Sequence, residues 1–191
     1  MIRTTWLGVD VGGPRKRFDV ALIDDREVLQ LEARLDRAAV AALVESVRPA
    51  VVAIDCPRRC APNGQNAREG ERRLRLSICG IYSTPDRARV CDNPFYEWIR
   101  EGLLLYESLA QCGVEVIEVF PTASWTRWCG ERGPQTRAAW TRQGVARLGL
   151  AGLPARNQDQ RDAIAAAATA RQHSADRTEL FGDIVVPVGA L

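Results

Sequence analysis

Thr5-Trp6-Leu7-Gly8-Val9-Asp10-Val11 is an apolar run that closes on an acidic residue. Gly12-Gly13-Pro14-Arg15-Lys16-Arg17 follows as a turn former, and Phe18-Asp19-Val20-Ala21-Leu22-Ile23 is a second run. Asp24-Asp25 supplies another turn before Val28 to Leu31, so residues 5–31 read as a three-stranded meander. This opening decides the fold, because everything after it alternates between helix and strand.

Asp36 suits a helix N-cap, and Val40, Leu43, Val44 and Val47 follow at the spacing of an amphipathic stripe that ends near Pro49. Residues 50–54 (Ala-Val-Val-Ala-Ile), bounded by Pro49 and Asp55, are an unbroken apolar run of the kind found in buried parallel strands. Residues 56–92 are irregular, with a short helix expected around 67–77. Asn93-Pro94 starts a helix with an N-cap followed by proline, carries Phe95, Trp98, Ile99, Leu103, Tyr106 and Leu109 on one face, and stops at Gly113. Residues 114–120 form a strand closed by Pro121. Thr136 caps a helix reaching Leu148, a last long helix runs from about Asn157 to His173, and Ile184–Val186 is a short final strand. The expected architecture is a single α/β domain over residues 1–191. It has a mixed five-stranded sheet (a meander, then parallel strands), helices on both faces and an Arg-rich insert at about 56–92. In such sheets the strand ends collect the functional residues.

Three acidic residues stand at such ends. Asp10 closes Leu-Gly-Val-Asp, Asp55 closes Val-Val-Ala-Ile-Asp, and Glu118 closes Val-Glu-Val-Ile-Glu. A fourth, Asp162, lies at the start of the alanine-rich helix in Asp159-Gln-Arg-Asp162-Ala-Ile-Ala-Ala-Ala. Carboxylates buried side by side repel and need a counter-charge. A hard divalent cation, Mg²⁺ or Mn²⁺, is the usual one for oxygen ligands. Glu118 shares its strand face with Val114, Val116 and Phe120, so it points where apolar residues point and needs a partner. Asp159 suits an N-cap or an outer partner of the metal site. Each acid alone also fits a turn or cap role; the case rests on their convergence.

Composition sets bounds without choosing a function. Among 191 residues, 46% are hydrophobic and 26% charged, with net charge +2, as expected of a globular protein. No apolar stretch approaches a membrane span, and the N-terminus lacks a signal-peptide layout, so a cytoplasmic protein is expected. Lys16 is the only lysine, leaving 25 of the 26 basic residues as arginine. Arginine suits bidentate phosphate contact, but a GC-rich coding sequence gives the same bias. Residues 56–91 hold eight arginines (58, 59, 68, 72, 73, 75, 87 and 89) against Glu69, Glu71 and Asp86. The segment therefore reads as a phosphate-tracking surface for nucleic acid, with Arg72, Arg73 and Arg75 as contacts, or as a self-paired solvated face. Arg15, Lys16 and Arg17 are placed to hold a flanking phosphate. The six cysteines show no Cys-x-x-Cys, which favours free thiols over a zinc site at Cys56, Cys60, Cys79 and Cys91. His173 is the only histidine, and no Walker A, Gly-x-Gly-x-x-Gly or Gly-x-Ser-x-Gly motif is present.

Four blocks together carry a resemblance: Gly8-Val-Asp10-Val-Gly-Gly, Ala53-Ile-Asp55-Cys-Pro57, Ile117-Glu118-Val-Phe-Pro121 and Asp159-Gln-Arg-Asp162-Ala. In order and spacing, from about residue 5 to 187, they resemble a bacterial family of predicted nucleases of ribonuclease-H fold, domain of unknown function 429. The resemblance implies three antiparallel strands followed by two parallel to the first. It also implies that Asp10, Asp55, Glu118 and Asp162 correspond to the metal ligands of the ribonuclease-H-like superfamily. The resulting expectation is a two-metal hydrolase that cuts phosphodiester bonds. Two alternatives stand beside it: a non-catalytic nucleic-acid-binding module of the same fold, and an ATP-binding protein of the actin and sugar-kinase type. The last is weakened by the absence of a second glycine-rich phosphate loop.

Overall fold

A computed structural model of the chain describes residues 3–189. Met1 and Ile2, part of the N-terminal reading above, lie outside the described residues. The meander forms as expected: β1 (Trp6–Val11), β2 (Phe18–Ile23) and β3 (Glu27–Leu35) pair antiparallel in sequence order. The turn between β1 and β2 is closed by backbone bonds from Gly12 to Arg17 and from Lys16 and Arg17 to Gly13. After α1 (Arg37–Val47), β4 (Val51–Asp55) lies parallel to β1. The insert carries α2 (Glu69–Ser77) and α3 (Arg87–Asp92), followed by a 3₁₀ turn at Pro94–Tyr96. Next come α4 (Glu97–Leu109) and β5 (Glu115–Val119), which lies parallel to β4. The chain then continues through α5 (Pro121–Cys129), α6 (Arg137–Arg147), β6 (Ala151–Gly152), α7 (Gln158–His173), β7 (Thr178–Phe181) and β8 (Ile184–Pro187).

The sheet has eight strands in the order β6-β3-β2-β1-β4-β5-β8-β7, three more than expected. The additions sit at its edges. β6 is two residues beside β3, and β7–β8 is a hairpin whose second strand runs parallel to β5. A run of two residues has no sequence periodicity; of the hairpin, β8 is the short final strand read at Ile184–Val186, while β7, across Gly182-Asp183, carries no signal of its own. α5 is a further element that the sequence pattern does not announce. Pro121, which reads as a strand terminator, is its first residue, and Phe120 at the N-cap makes no side-chain cap bond. Where capping side chains exist, the starts are as read: Asp36 accepts from Ala39 N, and Thr136 from Ala139 N.

Two cores flank the sheet. On one face Val40 and Val44 of α1 and Leu105 and Leu109 of α4 cover Leu7, Val9, Val20, Val52 and Ile54. On the other, the alanines of α7, with Trp125, Trp128 and Trp140 around them, cover Trp6, Ala21, Val51, Ala53 and Ile117. α7 lies directly on β1. A Cβ placed at Gly8 would come 2.0 Å from the carbonyl oxygen of Ala163 and 2.3 Å from the amide nitrogen of Ala167. The helix can approach that closely only because both surfaces are small.

Gly8→Ala should therefore cost about 3 kcal/mol or more, the upper range for overpacking, because the clash is with helix backbone rather than a flexible side chain. Gly80, with nothing within 4 Å of such a Cβ, is the control and should change stability by less than about 0.5 kcal/mol as Gly80→Ala. Urea unfolding of the two variants at unchanged m-value checks this.

Candidate active site

In a parallel pair, residues in register share a sheet face. Asp10 at the end of β1 is in register with Asp55 at the end of β4, so both carboxyls emerge on the α7 face. Antiparallel register also sets Asp19 of β2 directly opposite Asp10, on the same face. Asp19 is buried and tied down: its Oδ1 accepts from Arg34 N at 3.1 Å, and Asn157 donates to Oδ2 at 3.5 Å. α7 begins over this point. Asn157, not Asp159, is its N-cap, accepting from Gln160 N at 2.7 Å. That leaves Asp159 free in the first turn, where Lys16 of the β1–β2 turn donates to it at 3.0 Å.

One turn on, Asp162 is buried and held by four contacts. Trp125 Nε1 donates to its Oδ1 at 2.9 Å, Arg137 Nη2 to its Oδ2 at 2.8 Å, and Gln158 Nε2 to both oxygens at 3.0 Å. Among the described residues Asp10 and Asp55 have no such donors, and they face each other within hydrogen-bonding reach. Burial pushes the Asp10 carboxyl well above the ordinary aspartate range, and the charges of Asp55, Asp162, Asp159 and Asp19 push it further. Burial and then Asp162 raise Asp55 likewise, against a lowering contribution from Arg137. The structure thus brings Asp10, Asp55, Asp162 and Asp159 to one end of the sheet.

Glu118 is not among them. It is in register with Ile54, one residue short of Asp55, and so emerges on the opposite face. The partner that its apolar face demanded is Arg68, which donates to both Glu118 oxygens, from Nη1 at 2.8 Å and from Nη2 at 2.5 Å. Arg58 N donates to Oε2 at 2.9 Å, and the same Arg68 binds Glu71. Glu118 is therefore a neutralised structural acid that locks the insert onto β5. The expectation that it joins Asp10 is corrected by strand register.

Of the basic candidates, Lys16 reaches the cluster through Asp159, and Arg15 and Arg17 are exposed in the same turn. Arg72, Arg73 and Arg75 lie elsewhere, on α2, which packs by the β7–β8 edge, and each is engaged on its own surface. Arg72 stands 3.6 Å from Glu69, Arg73 lies over the Phe181 ring, and Arg75 donates to Ile81 O and Ser83 Oγ. Arg137, Trp125, Gln158 and Asp19 are site residues that the sequence pattern alone does not single out. For two of them a signal existed: Gln158 stands one helical turn before Asp162, and Asp19 is the one acid inside the second strand. Arg137 and Trp125 come from distant segments and carry no local signal. Arg137 also lines a cavity of about 390 Å³ with Thr122, Thr126, Glu131 and Trp140.

No protein-family model and no curated protein matches the chain. Solved structures do. A Thermus thermophilus RuvC structure aligns with TM-score 0.53 at 16% identity, covering 97% of this chain and 100% of that one. T. thermophilus RuvC in complex with Holliday junction substrate aligns with TM-score 0.53 at 17% identity, covering 90% and 94%. The fold is ribonuclease-H-like. At these identities the likeness concerns the fold, and the chemistry must be argued from the side chains.

Among the described residues, no three His, Cys, Asp or Glu side chains are grouped closely enough to hold a metal ion as they stand. The donor chemistry nevertheless fits a hard divalent cation. Asp10 and Asp55 are adjacent oxygen donors whose ionised forms lack a bonded cation, and Asp159 and Asp162 are the next charges acting on Asp10.

The raised carboxyls carry a definite sign. The folded state holds these protons more tightly than the unfolded chain, so their stabilisation is complete below the unfolded value and is lost as pH rises through the folded one. Asp10→Asn should then raise the melting temperature at pH 7 without metal by about 2–4 °C, the shift from roughly 1 kcal/mol in a chain this size, and the gain should vanish on acidification. Glu118→Gln should do the reverse, losing about 3 kcal/mol, because the buried Arg68 gives up its bidentate carboxylate and keeps only Glu71 as a close charged partner. Melts of both variants across pH 4–8 measure the two effects.

Proposed function

We propose that this protein is a metal-dependent nuclease that hydrolyses phosphodiester bonds of nucleic acid in the cytoplasm, with Asp10, Asp55, Asp162 and Asp159 holding Mg²⁺ or Mn²⁺. The observation that carries the reading is the in-register pair Asp10–Asp55 on adjacent parallel strands, facing the start of α7, with both carboxyls destabilised as anions. A structurally similar protein was solved in complex with Holliday junction substrate, which supports nucleic acid as the partner class. The motif blocks that resemble the predicted-nuclease family of domain of unknown function 429 contain the same four residues, and six free cysteines suit a reducing compartment.

A bound divalent ion would supply a water of lowered pKa and would stabilise charge on the phosphate and leaving oxygen. The chain's own residues prepare for this. Asp10 and Asp55 present their oxygens side by side, and Trp125 and Gln158 hold Asp162 in orientation. Arg137, with 46% of its side chain exposed, ties up one Asp162 oxygen and acts on the charges of Asp55 and Asp10; once that oxygen is otherwise engaged, its guanidinium can hold a phosphate oxygen. Lys16, beside Arg15 and Arg17 in the β1–β2 turn, is assigned a flanking phosphate, while Arg72, Arg73 and Arg75 form an outer surface farther from the carboxylates. The engagement of Asp162 by three donors favours one second reading, a nucleic-acid-binding module that keeps the fold without cutting.

Labelled single-stranded DNA, single-stranded RNA, duplex and four-way junction, each incubated with Mn²⁺ or Mg²⁺, separate the two. Cleavage that needs the metal and falls about a hundredfold or more in Asp10→Asn and Asp162→Asn is the expected result. Mn²⁺ should also raise the wild-type melting temperature, with no such rise in Asp10→Asn. Binding of these substrates without cleavage, together with no Mn²⁺ shift, would make the module reading correct.

A further inference from the structure

The loop leaving β4 opens a second cavity on the α4 side of the sheet, with a volume of about 390 Å³. Val90, Leu103, Leu104 and Tyr106 give it an apolar wall, and four arginines, Arg58, Arg59, Arg87 and Arg100, stand around it. Glu107 is the one carboxylate among its lining residues. Two of the arginines are already committed: Arg59 pairs with Asp183, and Arg100 donates to the carbonyls of Val90 and Asn93. Among the described residues, Arg58 and Arg87 have no carboxylate within salt-bridge distance. Two unpaired guanidiniums beside an apolar wall make a site for a ligand that is planar and apolar at one end and anionic at the other, in a volume within the range of small-ligand sites.

The position of Arg58 says which ligand. Its backbone N–H is fixed by Glu118 at 2.9 Å, and its guanidinium lies 5.6 Å from the centre of the Tyr106 ring. Tyr106 is itself anchored by its hydroxyl, which donates to Cys56 O at 2.9 Å. Arg58 is three residues beyond Asp55, at most about 10 Å of chain. That distance covers about three nucleotides of a stacked strand, at roughly 3.4 Å each, and fewer of an extended one. We propose that this cleft takes a nucleotide of the substrate strand flanking the phosphate at Asp10 and Asp55. Its phosphate lies on Arg58 and Arg87, and its base lies against Leu103, Val90 and Tyr106. The strand thus crosses the end of β4 from the α7 face to the α4 face. This rests on the nuclease reading for the identity of the strand, while the cleft and its free arginines stand independently of catalysis.

The test uses the whole protein in EDTA, so that nothing is cut, with a labelled single strand of about twelve nucleotides in separate DNA and RNA arms. Arg58→Ala/Arg87→Ala should bind about tenfold more weakly at roughly 0.15 M salt, with the log–log salt slope smaller by about 1.4, since each single-strand phosphate no longer neutralised lowers it by about 0.7. In the wild type the oligonucleotide should slow maleimide alkylation of Cys60 and Cys91, which line the cleft, and leave Cys112 unaffected. The arm that gives these effects, DNA or RNA, identifies the sugar. Unchanged affinity and slope with unprotected Cys60 and Cys91, or no oligonucleotide binding at all, would overturn the cleft. Protection and weakened variant binding without metal-dependent cleavage of any substrate would instead uphold the cleft and remove the nuclease reading.

Discussion

The arrangement of this protein depends on the contact between the backbone of α7 and Gly8. A helix normally rides on a sheet through side chains at about 10 Å, but here β1 offers no Cβ, and the facing helix offers only Ala163, Ala166 and Ala167. The burial is complete: Ala163 through Ala168 are all fully enclosed. Two consequences for the site follow directly. Asp10 is two residues along β1 from Gly8, and Asp162 adjoins Ala163, so the same contact that closes the core sets the start of α7 over the strand end. Any larger residue at position 8 would lift the helix and move Asp162 and Asp159 away from Asp10 before it touched the sheet's pairing.

Buried acids in this fold divide by how their charge is met. Glu118 receives two donors from Arg68 and a backbone N–H, a bidentate geometry in which the Coulombic gain and the hydrogen bonds offset desolvation. Asp162 is met by Arg137, Trp125 and Gln158. Among the described residues Asp10 and Asp55 lack such partners: burial raises both carboxyls above the ordinary range, and the neighbouring charges of Asp55 on Asp10 and of Asp162 on Asp55 raise them further. Unfavourable local electrostatics held in place by the surrounding structure is a mark of a functional site rather than a stabilising one. It distinguishes these two residues from Glu118, although all three close apolar strands in the same way.

That distinction could not be read along the chain. Alternation in Val114-Glu-Val-Ile-Glu118 placed Glu118 on an apolar face, but which face that was relative to Asp10 depends on the parallel register of β5 against β4, a one-residue offset that leaves no trace in local pattern. Its partner Arg68 is 50 residues away, inside the segment that looked least regular, and its burial takes that one arginine out of the insert's basic surface. The meander, the capped helices and the pairing of β1 with β4 were legible, because hydrophobic period and capping chemistry are local. Asp19 was not singled out, because only the hairpin register sets it opposite Asp10. Bulk arginine content said little, since its meaning depends on which guanidiniums the fold has already used. Arg68, Arg59 and Arg100 are held by carboxylates or carbonyls, while among the described residues Arg58, over the Tyr106 ring, and Arg87 have no carboxylate partner.

The end of β4 is clamped from both sides, and this bears on how the carboxylates can respond to their repulsion. On the α7 face the contact at Gly8 fixes the neighbouring strand. On the α4 face a Cβ at Gly102 would come 2.1 Å from Cys56 Sγ, so α4 presses as closely on the residue after Asp55 as α7 presses on β1. The hydroxyl of Tyr106 holds the Cys56 carbonyl, and Arg68 and Glu118 hold the start of the following loop. Spreading the strands would break these contacts together, at several kcal/mol for the packing alone. Two responses remain available to Asp10 and Asp55: to take up a proton, or to share a cation. A site that cannot relax by moving is preorganised for whichever of the two it takes up, and that rigidity follows from the packing of glycine against helix on either side of the sheet.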